Sequence, residues 1–361
     1  MDFQEKLAPY ARAKDKIAQN PRLTYLFFEL TDRCNLRCRH CGSSCPALGQ
    51  HFDADLEALK AVVDQVADHT PKGSVLFCIT GGEPLLWPQL PELGRYITEK
   101  GYCWGMTTNG TLLTPENVDI LAQAGLKTVS VSLDGLKENH QWLRRTEGCF
   151  EAAVAGIRLL VERKQFACVQ VITVVTPKNL GELEEAYRLL KELGVQSWKI
   201  TGVEPIGIAG QTEELFLSGP QYRQLLDFIL AKRRLGELEV SFGCSHFLPE
   251  KYARQVRPVR FHCGCGIFIA SISAKGEILG CLDVDERALT CQGNIHTDRF
   301  WDVWENRFSL FRRKREPDDQ ACRSCAYSDF CRGDSWHTWD FQNNRPRLCL
   351  YRHLQTEEDS L

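Results

Sequence analysis

The chain has 361 residues, of which 43 % are hydrophobic and 25 % charged, and its formal net charge is −3. This is the make-up of an ordinary globular protein, and it implies no broad electrostatic attraction to nucleic acid or anionic lipid. No apolar run approaches the ~18 residues of a membrane span, and a start that carries Asp2, Glu5, Lys6, Arg12, Lys14, Asp15 and Lys16 is no signal peptide. The expectation is a cytoplasmic protein with neither nucleic-acid nor membrane partners, long enough for a barrel or for a barrel plus a small module.

Residues 1–20 read as a short charged helix ended by Asn20-Pro21. Strand and helix patterns then alternate. Strands are predicted at 24–30, 75–80, 102–108, 127–133, 168–175 and 198–203, and helices at 53–69, 88–100, 115–124, 149–163, 180–193 and 219–235. Six β/α units with near-continuous apolar strands predict an α/β fold whose parallel sheet is buried on both faces. Six units fall short of the eight of a closed barrel. From about Glu237 the alternation stops, and cysteine, glycine and aromatic residues rise. The expected domains are an N-terminal helical segment at 1–23, a barrel-like unit at 24–236 and a loop-rich, cysteine-rich module at 237–361. The tail Thr356–Asp359 reads as frayed and solvated.

Seventeen cysteines is the outlying number. A reducing cytosol and an odd count argue against a disulfide framework, so metal or cluster ligation accounts for them better. Some need no such role. Cys78, Cys103 and Cys168 lie in apolar strand-like runs, where a buried thiol acts as a small hydrophobe, and Cys149 falls at a helix start.

The densest group lies in Thr31–Cys45, just past the first strand, where Cys34, Cys38 and Cys41 have the spacing CxxxCxxC. Loops at strand ends are where α/β folds place their active sites. Three thiolates on one loop can hold three irons of a four-iron cubane and leave the fourth open to an outside ligand. The same triplet also suits a zinc knuckle, or reduced thiols without metal.

At these residues the chain resembles the radical S-adenosylmethionine (SAM) superfamily. The resemblance implies a partial (β/α)6 TIM barrel, a [4Fe-4S] cluster on Cys34, Cys38 and Cys41, and SAM chelated at the open iron. It also implies His40 near the adenine. Later strand ends carry matching segments. Thr80-Gly81-Gly82-Glu83-Pro84 follows the second strand; Gly81 and Gly82 let backbone approach a ligand, and Glu83 adds an acceptor for an ammonium group. By resemblance this segment holds the methionine amino group. Asn109, in Thr107–Thr111, and Ser132 and Asp134, in Ser130–Gly135, are implied at the ribose and methionine carboxylate. His140 and Arg144 match a His-Asp…Arg pattern in which Gln141 replaces the acid. Arg144 is either a fork onto the SAM carboxylate or a solvated helix-start arginine. Glu204-Pro205-Ile206-Gly207 resembles a Pro-x-Gly segment that shapes backbone near adenine.

The second module carries Cys263-Gly264-Cys265-Gly266, then Ile272, Gly276, Ile278 and Cys281, then Cys322-x-x-Cys325-x5-Cys331, and finally Cys349. Zinc ribbons use CxxC pairs as well. The full arrangement resembles the SPASM domain, which houses one or two auxiliary [4Fe-4S] clusters. By resemblance Cys322, Cys325, Cys331 and Cys349 hold one of them. The other would take Cys263, Cys281, an upstream cysteine and the position of Ser335, which is not a cysteine. Cys244, Cys265 or Cys291 would then substitute, or an iron would stay open, or this cluster would be absent. Asp283 stands two residues past Cys281, one off from an acid that takes a substrate proton in some relatives. Trp336–Phe341 is an aromatic run expected to pack over a cluster.

The resemblance implies an oxidoreductase that abstracts hydrogen from a peptide or protein side chain, giving a crosslink or an oxidised residue in the maturation of a ribosomally made peptide. A flavodoxin- or ferredoxin-type electron donor is implied. The short stretch ahead of the first strand leaves leader recognition to a separate protein, or to none. The alternatives are a small-molecule enzyme of tetrapyrrole biosynthesis and a non-enzymatic iron–sulfur or zinc module that binds a partner.

Overall fold

The computed structural model describes residues 3–43, 51–243, 246–284 and 286–355. The tail at Thr356–Asp359, Cys45 and Cys244 lie outside these residues.

Helix α1 spans Phe3–Gln19. Strands β1 Tyr25–Glu29, β2 Leu76–Thr80, β3 Cys103–Thr108, β4 Thr128–Ser132, β5 Cys168–Val175 and β6 Ser197–Gly202 follow at the predicted places. Between and after them lie α2 Leu56–His69, α3 Leu90–Glu99, α4 Pro115–Gln123, α5 Lys137–Arg144, α6 Cys149–Arg163, α7 Leu183–Leu193 and α8 Gly219–Leu235. Helices α2, α4 and α8 begin where side chains cap free amides. Asp55 accepts from Ala58 N at 3.0 Å, Thr114 from Asn117 N at 3.2 Å, and Ser218 with Gln221 forms a capping box.

Consecutive strands β1 to β6 pair in parallel, as a βα fold requires. The sheet does not stop at six strands. β7, Glu239–Phe242, extends it in parallel beyond β6. On the other side β8, Ile269–Ile272, pairs in parallel with β1, and the short strands β9, Glu277–Leu279, and β10, Gly293–Asn294, continue antiparallel. The result is a ten-stranded open sheet, β10-β9-β8-β1-β2-β3-β4-β5-β6-β7. The expected break at 236/237 therefore separates two strands that pair, because β7 belongs to the barrel-like sheet. One hydrophobic core runs from Leu26 and Phe77 through Trp198 to Phe300, Trp304, Trp336 and Leu350, so the second module shares the barrel's core.

The sheet is fully buried on one face only, and not on both as its near-continuous apolar strands predict. Along β5 the buried residues are Val169, Val171, Thr173 and Val175, and the alternate positions are half-buried. The half-buried face carries polar side chains, including Glu29, Thr80, Thr107, Ser132 and Lys199. Cys78 and Cys168 are half-buried and Cys103 is exposed, so none is the buried small hydrophobe expected; Cys149 is buried at the first turn of α6. Helix α1 docks on the second module. Phe3 and Leu7 pack with Phe247, Phe261 and Phe330, and the buried Lys14 donates to Phe330 O at 2.8 Å. Burial lowers the Lys14 pKa to about 7, against the pull of Cys331.

Gly94 of α3 sits where a Cβ would collide with the indole of Trp104, a fully buried β3 residue that donates to Ala124 O at 3.2 Å. Gly94→Ala should therefore destabilise the protein by ~1–3 kcal/mol through overpacking, although alanine is the better helix former. A denaturant titration checks this; an unchanged or raised midpoint would contradict it.

Candidate active site

The cysteine loop is held at its root by Asp53. Thr31 Oγ1 donates to Asp53 Oδ1 at 2.6 Å, and Arg33 Nη2 meets Asp53 Oδ2 at 2.6 Å. Asp32 Oδ1 accepts from Phe52 N at 3.0 Å. The end of β2 grips the same loop through its backbone. Gly82 N donates to Thr31 O at 2.7 Å, and Glu83 N to Arg33 O at 2.8 Å. A Cβ on Gly81 would stand 2.7 Å from Thr31 O, and one on Gly82 would overlap Arg33 O. The two glycines thus serve first as the contact between β2 and the loop.

Cys34, Cys38 and Cys41 all line one cavity of about 460 Å³. Gly81, Gly82, Asn109, Ser132 and Arg144, from three other strand ends and α5, line it too. His40 and Asp283 complete the predicted residues found there. Glu83 and Asp134 are not on its wall; both are fully buried behind it. Glu83 accepts from Thr108 Oγ1 at 2.7 Å, Leu85 N at 3.2 Å and Asn109 N at 2.8 Å. Its carboxylate ties the β2 and β3 ends together, and it does not stand at the wall as the expected ammonium acceptor. Burial raises its pKa, against those donors.

Asp134 likewise turns away from the cavity. Its Oδ2 accepts from Arg144 Nε at 2.7 Å and its Oδ1 from Val174 N at 2.9 Å. Burial opposes its ionisation, but Arg144, with His40 and His140, more than offsets this and holds the carboxyl at about 2. Asp134 is thus the partner that aims Arg144, in place of the expected contact with ribose or carboxylate. Arg144 lies in the last turn of α5, not at a helix start, and it is buried. His140 Nδ1 accepts from Asp134 N at 3.0 Å, so the His140–Arg144 pair acts through Asp134.

The site's donors suit a thiolate-bound cluster. Arg144 Nη1 lies 3.7 Å from Cys38 Sγ, Leu36 N 3.4 Å from Cys34 Sγ, and Asn109 Nδ2 4.0 Å from Cys34 Sγ. Burial pushes the Cys38 thiol up to about 11, against Arg144, so a bound cation is what would make three adjacent thiolates stable here. His40 Nδ1 is buried on the cavity wall without a hydrogen-bond partner among the described residues, as a site awaiting a polar ligand requires. Burial lowers the His40 pKa to about 4, so the ring is neutral at pH 7. The sequence reading missed Asn35. Its side chain bonds Asn109 at 2.8 Å and Thr111 at 2.8 Å, and only its place between Cys34 and Cys38 hinted at this. Gly207 has φ +55 and presses on the Cys41 carbonyl, and Ile208 N donates to Cys41 O at 3.0 Å, so the Pro-x-Gly segment shapes the loop's far side.

In the second module Cys322, Cys325, Cys331 and Cys349 line one cavity of about 920 Å³, with Trp336, Trp339 and Phe341 of the aromatic run on its wall. Burial pushes Cys322 up to about 12, and Arg352 Nη2 lies 3.4 Å from its sulfur. Cys263, Cys265 and Cys281 form a separate chain of thiols in which Cys265 hydrogen-bonds both of the others. The bond to Cys265 lowers the Cys263 pKa, against burial. Cys265 is thus placed as the third sulfur of this group. Cys291 donates to Gly293 O at 3.2 Å and turns elsewhere, and Ser335 is fully buried.

A profile of the radical SAM superfamily matches residues 28–190, and an iron–sulfur cluster-binding SPASM profile matches 263–326. The AdoMet-dependent heme synthase of Methanosarcina barkeri is 30 % identical over 353 residues, covering 92 % of this chain and 97 % of that one. The chain belongs to the radical SAM superfamily. It is of the SPASM-bearing kind, with SAM and iron–sulfur clusters as its cofactors. Mycofactocin maturase MftC of Mycobacterium tuberculosis is also similar, 32 % identical over 315 residues, with 85 % of this chain and 77 % of that one covered. Among solved structures, Streptococcus suis SuiB bound to S-adenosylmethionine shares the fold, with a TM-score of 0.69 at 18 % identity over 91 % of this chain and 76 % of that one. No helix among the described residues is long and apolar enough to cross a membrane.

Gly82→Ala should displace the cysteine loop as surely as removing a ligand would. The expected result is loss of about four irons per reconstituted chain with the melting curve still cooperative. Iron retained at the wild-type count would show that the loop tolerates the displacement.

Proposed function

We propose that this radical SAM enzyme removes a hydrogen atom from a side chain of a peptide or protein, as a step in peptide maturation. The observation that carries the reading is the 460 Å³ cavity, which the three cysteines of the loop and Asp283 of the second module line together. That cavity has to hold the cluster and the nucleoside sulfonium as well as the reacting group, which suits a slender side chain better than a whole macrocycle. The 32 % identity to a maturase agrees with this.

In this reading Cys34, Cys38 and Cys41 hold the cluster, which with SAM bound supplies the 5′-deoxyadenosyl radical. Arg144, fixed by Asp134, donates toward Cys38 and offers its remaining N–H groups to a carboxylate. Asn109 and Ser132 present polar groups from the β3 and β4 ends, and neutral His40 offers Nδ1. Asp283 is exposed at the cavity, 3.8 Å from where a Cβ on Gly42 would stand, and is placed to accept a proton from the substrate. The cysteines of the second module hold the auxiliary clusters and take the electron that the substrate gives up. A flavodoxin- or ferredoxin-type protein supplies the first electron.

A second reading is tetrapyrrole modification. It is favoured by the near full-length match to a heme synthase. Only the edge of a macrocycle would then enter the cavity. Reconstituted protein with SAM and dithionite should release 5′-deoxyadenosine, and Cys34, Cys38 and Cys41 changed to alanine should abolish this. With a precursor peptide deuterated at its side chains, deuterium should pass into the released 5′-deoxyadenosine. Transfer from a deuterated porphyrin side chain and none from peptide would favour the second reading. Asp283→Asn should lower product by ~10²-fold while 5′-deoxyadenosine release stays within about twofold.

A further inference from the structure

Three side chains from distant parts of the chain converge at the edge of the second module. Glu204 follows β6, His246 follows β7, and His337 belongs to the aromatic run. Their ligand atoms all lie within 4.8 Å of one another. Glu204 Oε1 is 2.8 Å from His246 Nε2, and Glu204 Oε2 is 3.7 Å from His337 Nε2. Ligands ~2.0–2.1 Å from a tetrahedral ion stand roughly 3.4 Å apart, and these two spacings bracket that value.

The surroundings favour an ion over a plain ion pair. His246 is fully buried and His337 is 8 % exposed. His246 Nδ1 meets Asp334 Oδ2 at 3.0 Å, and Asp334 Oδ1 is itself held by Phe247 N at 3.1 Å. A carboxylate on one ring nitrogen fixes the tautomer that leaves the other nitrogen to a metal. Asp334 takes this place at φ +70, a left-handed conformation costly for a non-glycine residue. Glu204 Oε2 is buried and makes no hydrogen bond within 3.5 Å among the described residues, its partner being His337 Nε2 at 3.7 Å. The second imidazole is turned toward that oxygen but stands 3.7 Å from it, too far for a direct hydrogen bond and close to the spacing of two ligands on one ion.

We propose that Glu204, His246 and His337 form a mononuclear site for a divalent transition ion, zinc(II) or iron(II), distinct from the iron–sulfur clusters. Two imidazoles and one carboxylate are a ligand set for either ion. The site joins the β6 end to the second module. From Glu204 the chain continues directly through Pro205 to Ile208, whose N–H holds the Cys41 carbonyl. Occupancy therefore steadies the far side of the cysteine loop.

The test uses the full chain, purified anaerobically, reconstituted with iron and sulfide, equilibrated with zinc sulfate and desalted through a weak chelator. Wild type should retain one zinc more than His337→Ala at equal iron content and equal visible cluster absorbance. Its zinc absorption edge should report nitrogen and oxygen neighbours only. Asp334→Asn keeps all three ligands and should release zinc to chelator ~10–100-fold more readily. Equal zinc in wild type and both variants, or a sulfur shell around the zinc, would overturn the proposal and leave a buried ion pair.

Discussion

The arrangement depends on two backbones touching. β1 and β2 are neighbours, so the loop after β1 and the turn after β2 leave the sheet side by side. Only residues without a Cβ let the turn lie against Thr31 and Arg33, and Gly81 and Gly82 supply them. The contact brings Glu83 within reach of β3, where Thr108 and Asn109 fasten it. A ligand loop on a tether this short has few conformations to lose on binding a cluster. The same logic recurs on the loop's other side, where Gly207 abuts the Cys41 carbonyl. The loop is gripped from both flanks by backbone, and its three thiols stay turned toward the cavity.

Charge is arranged around this frame in a fixed order. Asp134 lies too deep to meet a ligand, yet its charge decides where Arg144 points. A buried arginine without such a partner would be costly, by ~3–5 kcal/mol for a broken buried pair. With the pair intact, one side of the guanidinium is committed to Asp134 and the other faces Cys38. The adjoining histidines are both lowered to about 4, chiefly by burial, so they add dipoles and not charge. The cavity thus combines the cation of Arg144, oriented by Asp134, neutral donors and acceptors, and the acid Asp283 from the segment past β9.

What was legible in the sequence was local. CxxxCxxC, Gly-Gly-Glu and the SPASM spacing are short-range patterns, and β1 to β6 carry their own periodicity; these placed the loop, the strand ends and the second cysteine set. What was not legible depends on pairing between distant segments. β7 has four residues, and β8 lies in a glycine- and cysteine-rich stretch, so neither has a pattern long enough to read. Their place in the sheet is decided by the edges that β6 and β1 leave open. Glu83 and Asp134 stand in ligand motifs, yet motif membership does not say on which side of a strand end a carboxylate falls, and both are buried behind the cavity. Cys265 was one of three substitutes in sequence, and only packing places its sulfur between Cys263 and Cys281.

The pairing of β8 with β1 also bears on the chemistry. It seats the β8–β9 hairpin against the strand that carries the cysteine loop, so Asp283, just past β9, comes to the cavity from the sheet itself and not from a tethered domain. Cys281 belongs to the thiol group of Cys263 and Cys265, and Asp283 is two residues away on the cavity wall. In the proposed reaction a substrate radical must give up a proton and an electron to become a closed-shell product. An acid and a cluster ligand on adjacent turns of one segment let both leave by neighbouring groups. A module that merely docked on the barrel would have to hold that register across an interface, whereas here hydrogen bonds between β8 and β1 set it, and a shared core keeps the two units from sliding.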